Sequence, residues 1–548
     1  MSWKIISKLK SRLAAESGAA VSRRGGSLRI CLVYPNRYGI GMSNLGFQAV
    51  YAMMNAFPEI LCERAFLPDP DEMREYQESR TPLLSLDSQQ PVSGFDVVAF
   101  SVSFESDYLN IPAVFRLAGL PCYSSERTEK HPLVIAGGAA TFLNPEPVAD
   151  FMDALCLGEA EELLPSLLGK LCGVSTSRSG LYEILTVLPG IYVPPLFGKG
   201  SGKNVSRLFL KNLDDHPVTT AINAPESEFS DLYLIELSRG CPRGCRFCAA
   251  GYIYLPYRQR SVDAVKAELA KELAGNRKIG LVAAAVGDYR GIGDLCRHIV
   301  ASGGSFSVSS LRIDGLDETM TELLVESGHK TATLAPEGGS QRLRDLIKKG
   351  ITEEQILSAC ERLIEKDILN LKLYFIIGLP TETDDDIQEL LALVAKIREL
   401  VVAKARVNRR LGEMTLSINP FIPKPFTPFQ WCGMAPLKTL ENRLKTIQNA
   451  VRRIANVTVQ SESLKDAMLQ ALLSRGDRTL SEFLVKSHEL LSWRKAAKEL
   501  GLDVEKIVTR QIPLEDDLPW DFIKSVPKEL LKREYLKAFP GQNSASDF

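Results

Sequence analysis

Three cysteines stand together in the run Ser238-Arg-Gly-Cys241-Pro-Arg-Gly-Cys245-Arg-Phe-Cys248, while the other eight of the chain's 11 are isolated. Thiolates are soft ligands suited to iron–sulfur clusters or zinc. A closed structural zinc site needs a fourth ligand, and the nearest later candidates, Cys296 and His298, lie far beyond the usual short spacing. An inert buried trio fits poorly with a loop so rich in Arg and Gly. An iron–sulfur cube normally takes four Cys, so three leave one iron without a protein ligand, open to a substrate or cofactor. Gly240 and Gly244 let such a loop wrap closely, with backbone N–H groups available to the sulfides.

The elements around this loop must place it. The chain has 548 residues, 45% hydrophobic and 24% charged, which predicts two or three domains with ample core. A net charge of −1 gives no global field to recruit anionic lipid or nucleic acid, though nucleic acid is not excluded as a substrate for a local basic groove. No apolar run approaches the ~18 residues that suggest a membrane span. The odd, scattered cysteine set is a poor disulfide framework, and the expected location is the cytoplasm.

Residues 28–172 read as a doubly wound α/β unit. Its strands are predicted at Leu28–Tyr34, Asp96–Val102, Pro132–Ala136 and Asp153–Leu157, with a helix over Ser43–Asn55. Residues 1–27 form an N-terminal extension with helical spacing at Ile5, Leu9 and Leu13, and 173–228 a Pro-interrupted linker. A second βα series fills 229–435, with strands predicted at Leu232–Leu237, Gly280–Ala285, Ser305–Ser310, Thr331–Leu334, Leu371–Ile377 and Met414–Ile418. Six strands with intervening helices imply a partial (βα)6 barrel whose chemistry sits at the strand C-termini. Residues 436–548 read as mostly helical.

A CxxxCxxC loop with an aromatic at Phe247, directly after the first strand of such a barrel, resembles the radical S-adenosylmethionine (radical SAM) superfamily. The resemblance implies Cys241, Cys245 and Cys248 as ligands of a [4Fe–4S] cluster whose open iron chelates the amine and carboxylate of SAM. Reduction, by an electron donor such as flavodoxin or ferredoxin, then gives methionine and a hydrogen-abstracting 5′-deoxyadenosyl radical. By the same analogy Phe247 lies near the adenine, and Gly287-Asp288 occupies the place of a Gly-Gly-Glu-like segment that meets the SAM amine. Glu337 could accept from ribose hydroxyls. The run Ile376-Ile-Gly378-Leu-Pro-Thr-Glu382 resembles a GxIxGxxE segment, with Tyr374 for the first Gly and Glu382 one place late; Gly378 would admit the adenine, with Ile376 packing nearby. Arg342, Arg344, Lys348 and Lys349 read as a mainly solvated face from which one cation could reach the SAM carboxylate.

Residues 28–172 resemble the cobalamin-binding domains that precede many such barrels. Val134-Ile-Ala-Gly137-Gly138 is the most family-like piece, with small residues to admit a nucleotide tail or corrin edge; Gly158-Glu159-Ala-Glu161-Glu162 continues the pattern. No DxHxxG segment is present and His131 alone lies in this domain, which removes histidine ligation of cobalt and leaves cobalamin itself open. Gly39-x-Gly41 and Gly46 have GxGxxxxG spacing, not a dinucleotide fingerprint. Tyr34–Gly46, Asn419–Trp431 and Leu518–Asp521 are similar to a group described as B12-binding radical SAM proteins, within which Lys424 and Trp431 are candidates to line the cavity. The leading expectation is a SAM-cleaving enzyme, with methyl transfer to an unactivated carbon if cobalamin binds. The alternatives are a tRNA or protein methylthiotransferase, which needs a second cluster from residues such as Cys31, Cys62 and Cys122, and a non-enzymatic iron–sulfur or cobalamin sensor.

Overall fold

The structure, a computed structural model, describes residues 1–18, 26–173, 176–197, 204–275, 277–308, 311–408 and 410–540. Strands β1 (Leu28–Arg37), β2 (Ile60–Leu67), β3 (Val97–Ser101), β4 (Leu133–Gly137), β5 (Ala154–Cys156) and β6 (Ile191–Tyr192) make one sheet in the order β2-β1-β3-β4-β5-β6. All neighbours are parallel except β5 and β6. Such strands are covered on both faces, which is why β1, β3 and β4 read as nearly unbroken apolar runs. Helix α1 (Leu45–Ala56) follows β1, started by Asn44, whose side chain accepts from the Phe47 N–H. Helix α2 (Ala160–Cys172) follows β5. The chain leaves β1 to one side for β2 and returns on the other for β3, so the carboxyl ends of β1 and β3 form a switch point where open α/β sheets bind ligands.

The four predicted strands form where expected. Strand β2 was not foreseen, because Glu63 and Arg64 interrupt its apolar run. Both are buried and satisfied: Ser85 and Ser88 hydroxyls donate to Glu63, and Arg64 is paired with Glu16 at 2.8 Å and Asp87 at 2.7 Å. The segment read as a linker is built into the fold. It supplies β6 and the helix Arg178–Thr186, and Ile222–Asn223 pairs with Ser17–Gly18 of the N-terminal extension.

Among the described residues, the second unit has seven parallel strands. β7 (Leu232–Glu236), β8 (Lys278–Val282) and β9 (Ser305–Val308) form one run. β10 (Thr331–Glu337), β11 (Asn370–Ile377), β12 (Met414–Pro420) and β13 (Val457–Ser461) form another. A parallel bridge between Leu311 and Leu334 joins them. The six expected barrel strands are present; the last two residues predicted for the third, Ser309 and Ser310, lie outside the described residues. The region 436–548 is mostly helical as expected, and within it β13 extends the barrel past residue 435.

The C-terminal region also reaches back to the first domain. Ile523–Lys524 pairs with Val205–Ser206, and the Asn144 side chain donates to the carbonyls of Ser474 and Gly476. Lys424 meets Glu105 at 2.7 Å beside Ser474.

Candidate active site

The cysteine loop begins where β7 ends. Ser238–Arg239 pairs with Arg258–Gln259, and Gly240 then turns with φ +85°. A Cβ there would sit 2.8 Å from the Tyr254 carbonyl oxygen, so both the angle and the space demand glycine. Within the loop the Cys248 N–H donates to the Cys245 carbonyl, and Tyr252 Oη donates to that of Gly244. From outside, the Arg246 N–H donates to Ile347 and its carbonyl accepts from Phe429 of the Pro-rich segment. The loop is thus clamped by β10's following turn on one side and by residues 419–431 on the other.

Burial raises the Cys245 thiol, opposed by the nearby charges of Lys349 and Arg312 and reinforced by Cys241. Burial likewise pushes the Cys248 thiol to about 11, with Cys245 and Cys241 adding to the effect. The three sulfurs therefore lie within electrostatic reach of one another. Among the described residues, however, no three His, Cys, Asp or Glu converge as ligands of a single ion. One zinc ion draws its thiolates to roughly 2.3 Å from a common centre, whereas a cube attaches each thiolate to a separate iron. Three thiols on one loop with no fourth ligand gathered beside them among the described residues suit a cube with one open iron, whereas a closed zinc site needs that fourth ligand.

The other barrel-strand ends gather around this loop. After β8, Asp288 accepts from Arg243 of the cysteine loop at 2.9 and 3.1 Å, and Arg243 also lies 3.3 Å from Asp314. Asp288 thus ties the loop to the second strand end. Arg312, paired with Asp314 at 2.9 Å, was not anticipated from the sequence; it follows a stretch with no recognisable motif. After β10, Glu337 has φ +63°, a conformation uncommon for a non-glycine residue, and meets Lys349 at 3.2 Å. The four cations predicted as mainly solvated have separate tasks. Arg342 pairs with Asp386, Lys348 with Glu534, and Arg344 is 1% exposed, donating to the carbonyls of Gly338 and Gly339. Lys349 alone of the four bears on the thiols.

After β11, Gly378 has φ +74°, and a Cβ there would meet Leu440 at 2.6 Å and Ala435 at 3.0 Å. On the side where a Cβ would stand, packing by itself requires glycine here. Glu382 accepts from the Gly378 N–H and pairs with Arg443 at 2.7 Å, fixing the turn. Ile376 and Phe247 are partly buried against the core.

A cavity of about 560 Å³ opens between the two units. Its first wall is the carboxyl edge of the N-terminal sheet, including Ala99, Ser101, Gly137 and Gly138, with α1 and α2 beside it. Its opposite wall is Glu236, Ser238, Arg239 and Gly240, with Val282–Ala284 from the end of β8. It therefore runs from the switch point of the first sheet to the residue preceding Cys241. Gly138 is required there: φ is +114°, and a Cβ would lie 2.3 Å from the Val102 carbonyl oxygen. Neither Lys424 nor Trp431 lines this space. Lys424 is taken by Glu105, and Trp431 is fully buried, edge-on to Tyr535.

Residues 235–394 match the family described as the radical SAM superfamily, and residues 46–194 match radical SAM proteins, N-terminal. An uncharacterized protein of Methanocaldococcus jannaschii, MJ0966, is 30% identical over 86% of this chain and 94% of its own length. The chain belongs to the radical SAM superfamily. A tRNA-2-methylthio-N(6)-dimethylallyladenosine synthase of Methylococcus capsulatus is 26% identical over 51% of this chain, which spans 62% of that protein. Among solved structures, the cobalamin-dependent S-adenosylmethionine radical enzyme OxsB, with aqua-cobalamin and S-adenosylmethionine bound, covers 93% of this chain and 78% of its own at 13% identity and a TM-score of 0.49.

As a radical SAM enzyme the protein uses a [4Fe–4S] cluster and SAM, and Cys241, Cys245 and Cys248 are the thiols that would hold the cluster. A second cluster is not supported. Cys31 and Cys62 are buried in the adjacent strands β1 and β2, Cys122 lies beyond β3, and burial raises all three thiols. Among the described residues, no helix is long and apolar enough to cross a membrane.

Proposed function

We propose that this radical SAM enzyme uses cobalamin, held in the cavity between its two units, to transfer a methyl group to an unactivated carbon of its substrate. The observation that carries the reading is the course of the cavity, from the β1/β3 switch point to Gly240 beside the first cluster cysteine. When bound, cobalamin would supply a transferable methyl group, and the cluster an electron for SAM cleavage. The chain's own residues supply the rest. Gly137 and Gly138 line the N-terminal edge of the cavity with backbone alone, while Leu32, Val50, Met53 and Leu163 keep its surroundings apolar. Among the described residues no histidine lines the cavity, so a corrin there would be held without a histidine ligand. On the barrel side, Lys349, beside Glu337 and within electrostatic reach of Cys245, suits the carboxylate of SAM.

Protein purified without oxygen and supplied with hydroxocobalamin should retain about one corrin per chain through gel filtration, read from its visible spectrum. Gly137→Val should lose the corrin while keeping its iron. Failure of the unaltered protein to retain corrin, with its cluster intact, would overturn the reading. The methylthiotransferase alternative has support in the similarity over half the chain, and about eight irons per chain would favour it.

A further inference from the structure

The run Gly158-Glu159-Ala-Glu161 of the first domain and the Arg239 that precedes the cysteine loop meet across the cavity wall. Arg239 Nη2 lies 2.5 Å from Glu161 Oε1, its Nη1 lies 2.9 Å from Glu159 Oε2, and its Nε lies 2.8 Å from Glu236 Oε1. Four N–H donors of its guanidinium enter a cage of three carboxylates, Nε to Glu236, Nη1 to Glu159 and Glu161, and Nη2 to Glu161, and charge-assisted bonds of this forked kind fix orientation as well as distance. Glu159 is itself held by Arg258 at 2.7 Å and by the Leu210 N–H at 3.0 Å, and Glu236 by Arg260 at 2.7 Å. The carboxylates are therefore rigid reference points, and the side chains are nearly buried. Arg239 is two residues from Cys241, and Gly240 between them is pinned against Tyr254.

We propose that Arg239 is a positioning residue through which Glu159 and Glu161 of the N-terminal domain set the cysteine loop, and with it the iron that receives SAM. The barrel's cluster loop is thereby referenced to the other domain as well as to its own strand. A second consequence follows from placement. Glu159, Glu161, Glu236 and Arg239 all line the cavity, so a ligand there touches the same cage, and its binding and that of SAM must affect each other equally.

The test needs only the cluster and SAM, so it stands apart from the question of cobalamin. Glu161→Gln keeps the shape but weakens one arm of the cage, and Arg239→Lys keeps the charge but loses the fork. Anaerobically reconstituted full-length variants would be compared by iron content, thermal melting, the electron paramagnetic resonance signal of the reduced cluster and SAM affinity. The expected result is near-normal iron with a shifted reduced-cluster signal and SAM binding weakened roughly tenfold in each. Glu161→Gln combined with Arg239→Gln should be little worse than the worse single variant, since partners in one interaction are not additive. Arg297→Gln, at an exposed pair with Asp294, should match the unaltered protein. A lowered melting temperature with unchanged SAM affinity and an unchanged signal would mean that the cage is structural only, and would overturn the proposal.

Discussion

Asp107 shows how one buried side chain records its surroundings. It follows β3 near the switch point, is 3% exposed, and has one oxygen bonded by Asn36 and the other without a partner. Burial raises its carboxyl from 3.8 to about 6, with Glu105 nearby adding to the shift. A carboxyl raised on folding contributes stability that is present below pH 4 and is lost as pH rises through 6. Asp107→Asn should remove that dependence, so the variant gains about 2–3 kcal/mol relative to the unaltered protein between pH 4 and 7. Urea melts across that range would show it; parallel stability curves would contradict it. This residue was invisible in the sequence, since an Asp after a strand has no signature of burial. The three cysteines were the opposite case. Their spacing carries the chemistry directly, whereas the supporting Arg312 and Lys349 depend on where separate strand ends meet.

At the scale of elements, apolar runs announced β1, β3, β4 and the first six barrel strands, because burial on both faces demands them. β2 was hidden by Glu63 and Arg64: the Ser85 and Ser88 hydroxyls satisfy Glu63, and Glu16 and Asp87 pair with Arg64. β13 was hidden because it is an edge strand with an exposed face, so Val457-Thr-Val-Gln-Ser461 lacks the buried signature. Turns obeyed local rules more simply. Gly138→Ala should cost about 1–3 kcal/mol, because a left-handed angle and the Val102 carbonyl both oppose a Cβ. A thermal melt would measure it, and an unchanged transition would show that the turn relaxes freely. Gly378→Ala should be costly on the same two grounds, its positive φ and its contact with Leu440 and Ala435, and should lower stability whether or not SAM is present.

Across the whole molecule, the boundaries read from composition do not mark separable parts. β13 completes the barrel sheet, the segment 523–524 pairs with 205–206, and Asn144 is held by the C-terminal region. A chain ending at residue 435 should therefore lose cooperative unfolding and become sensitive to protease within the N-terminal domain. Retention of a sharp transition would contradict this interdependence. The same continuity brings two strand-end surfaces together over one cavity, with the cysteine loop at their junction. Everything functional rests on that loop holding a cube with one iron free. The most direct test is a Mössbauer spectrum of the 57Fe-reconstituted protein, recorded with and without SAM. Four irons per chain, one of which changes its signal when SAM is added, is the predicted result; four irons that all ignore SAM would contradict it.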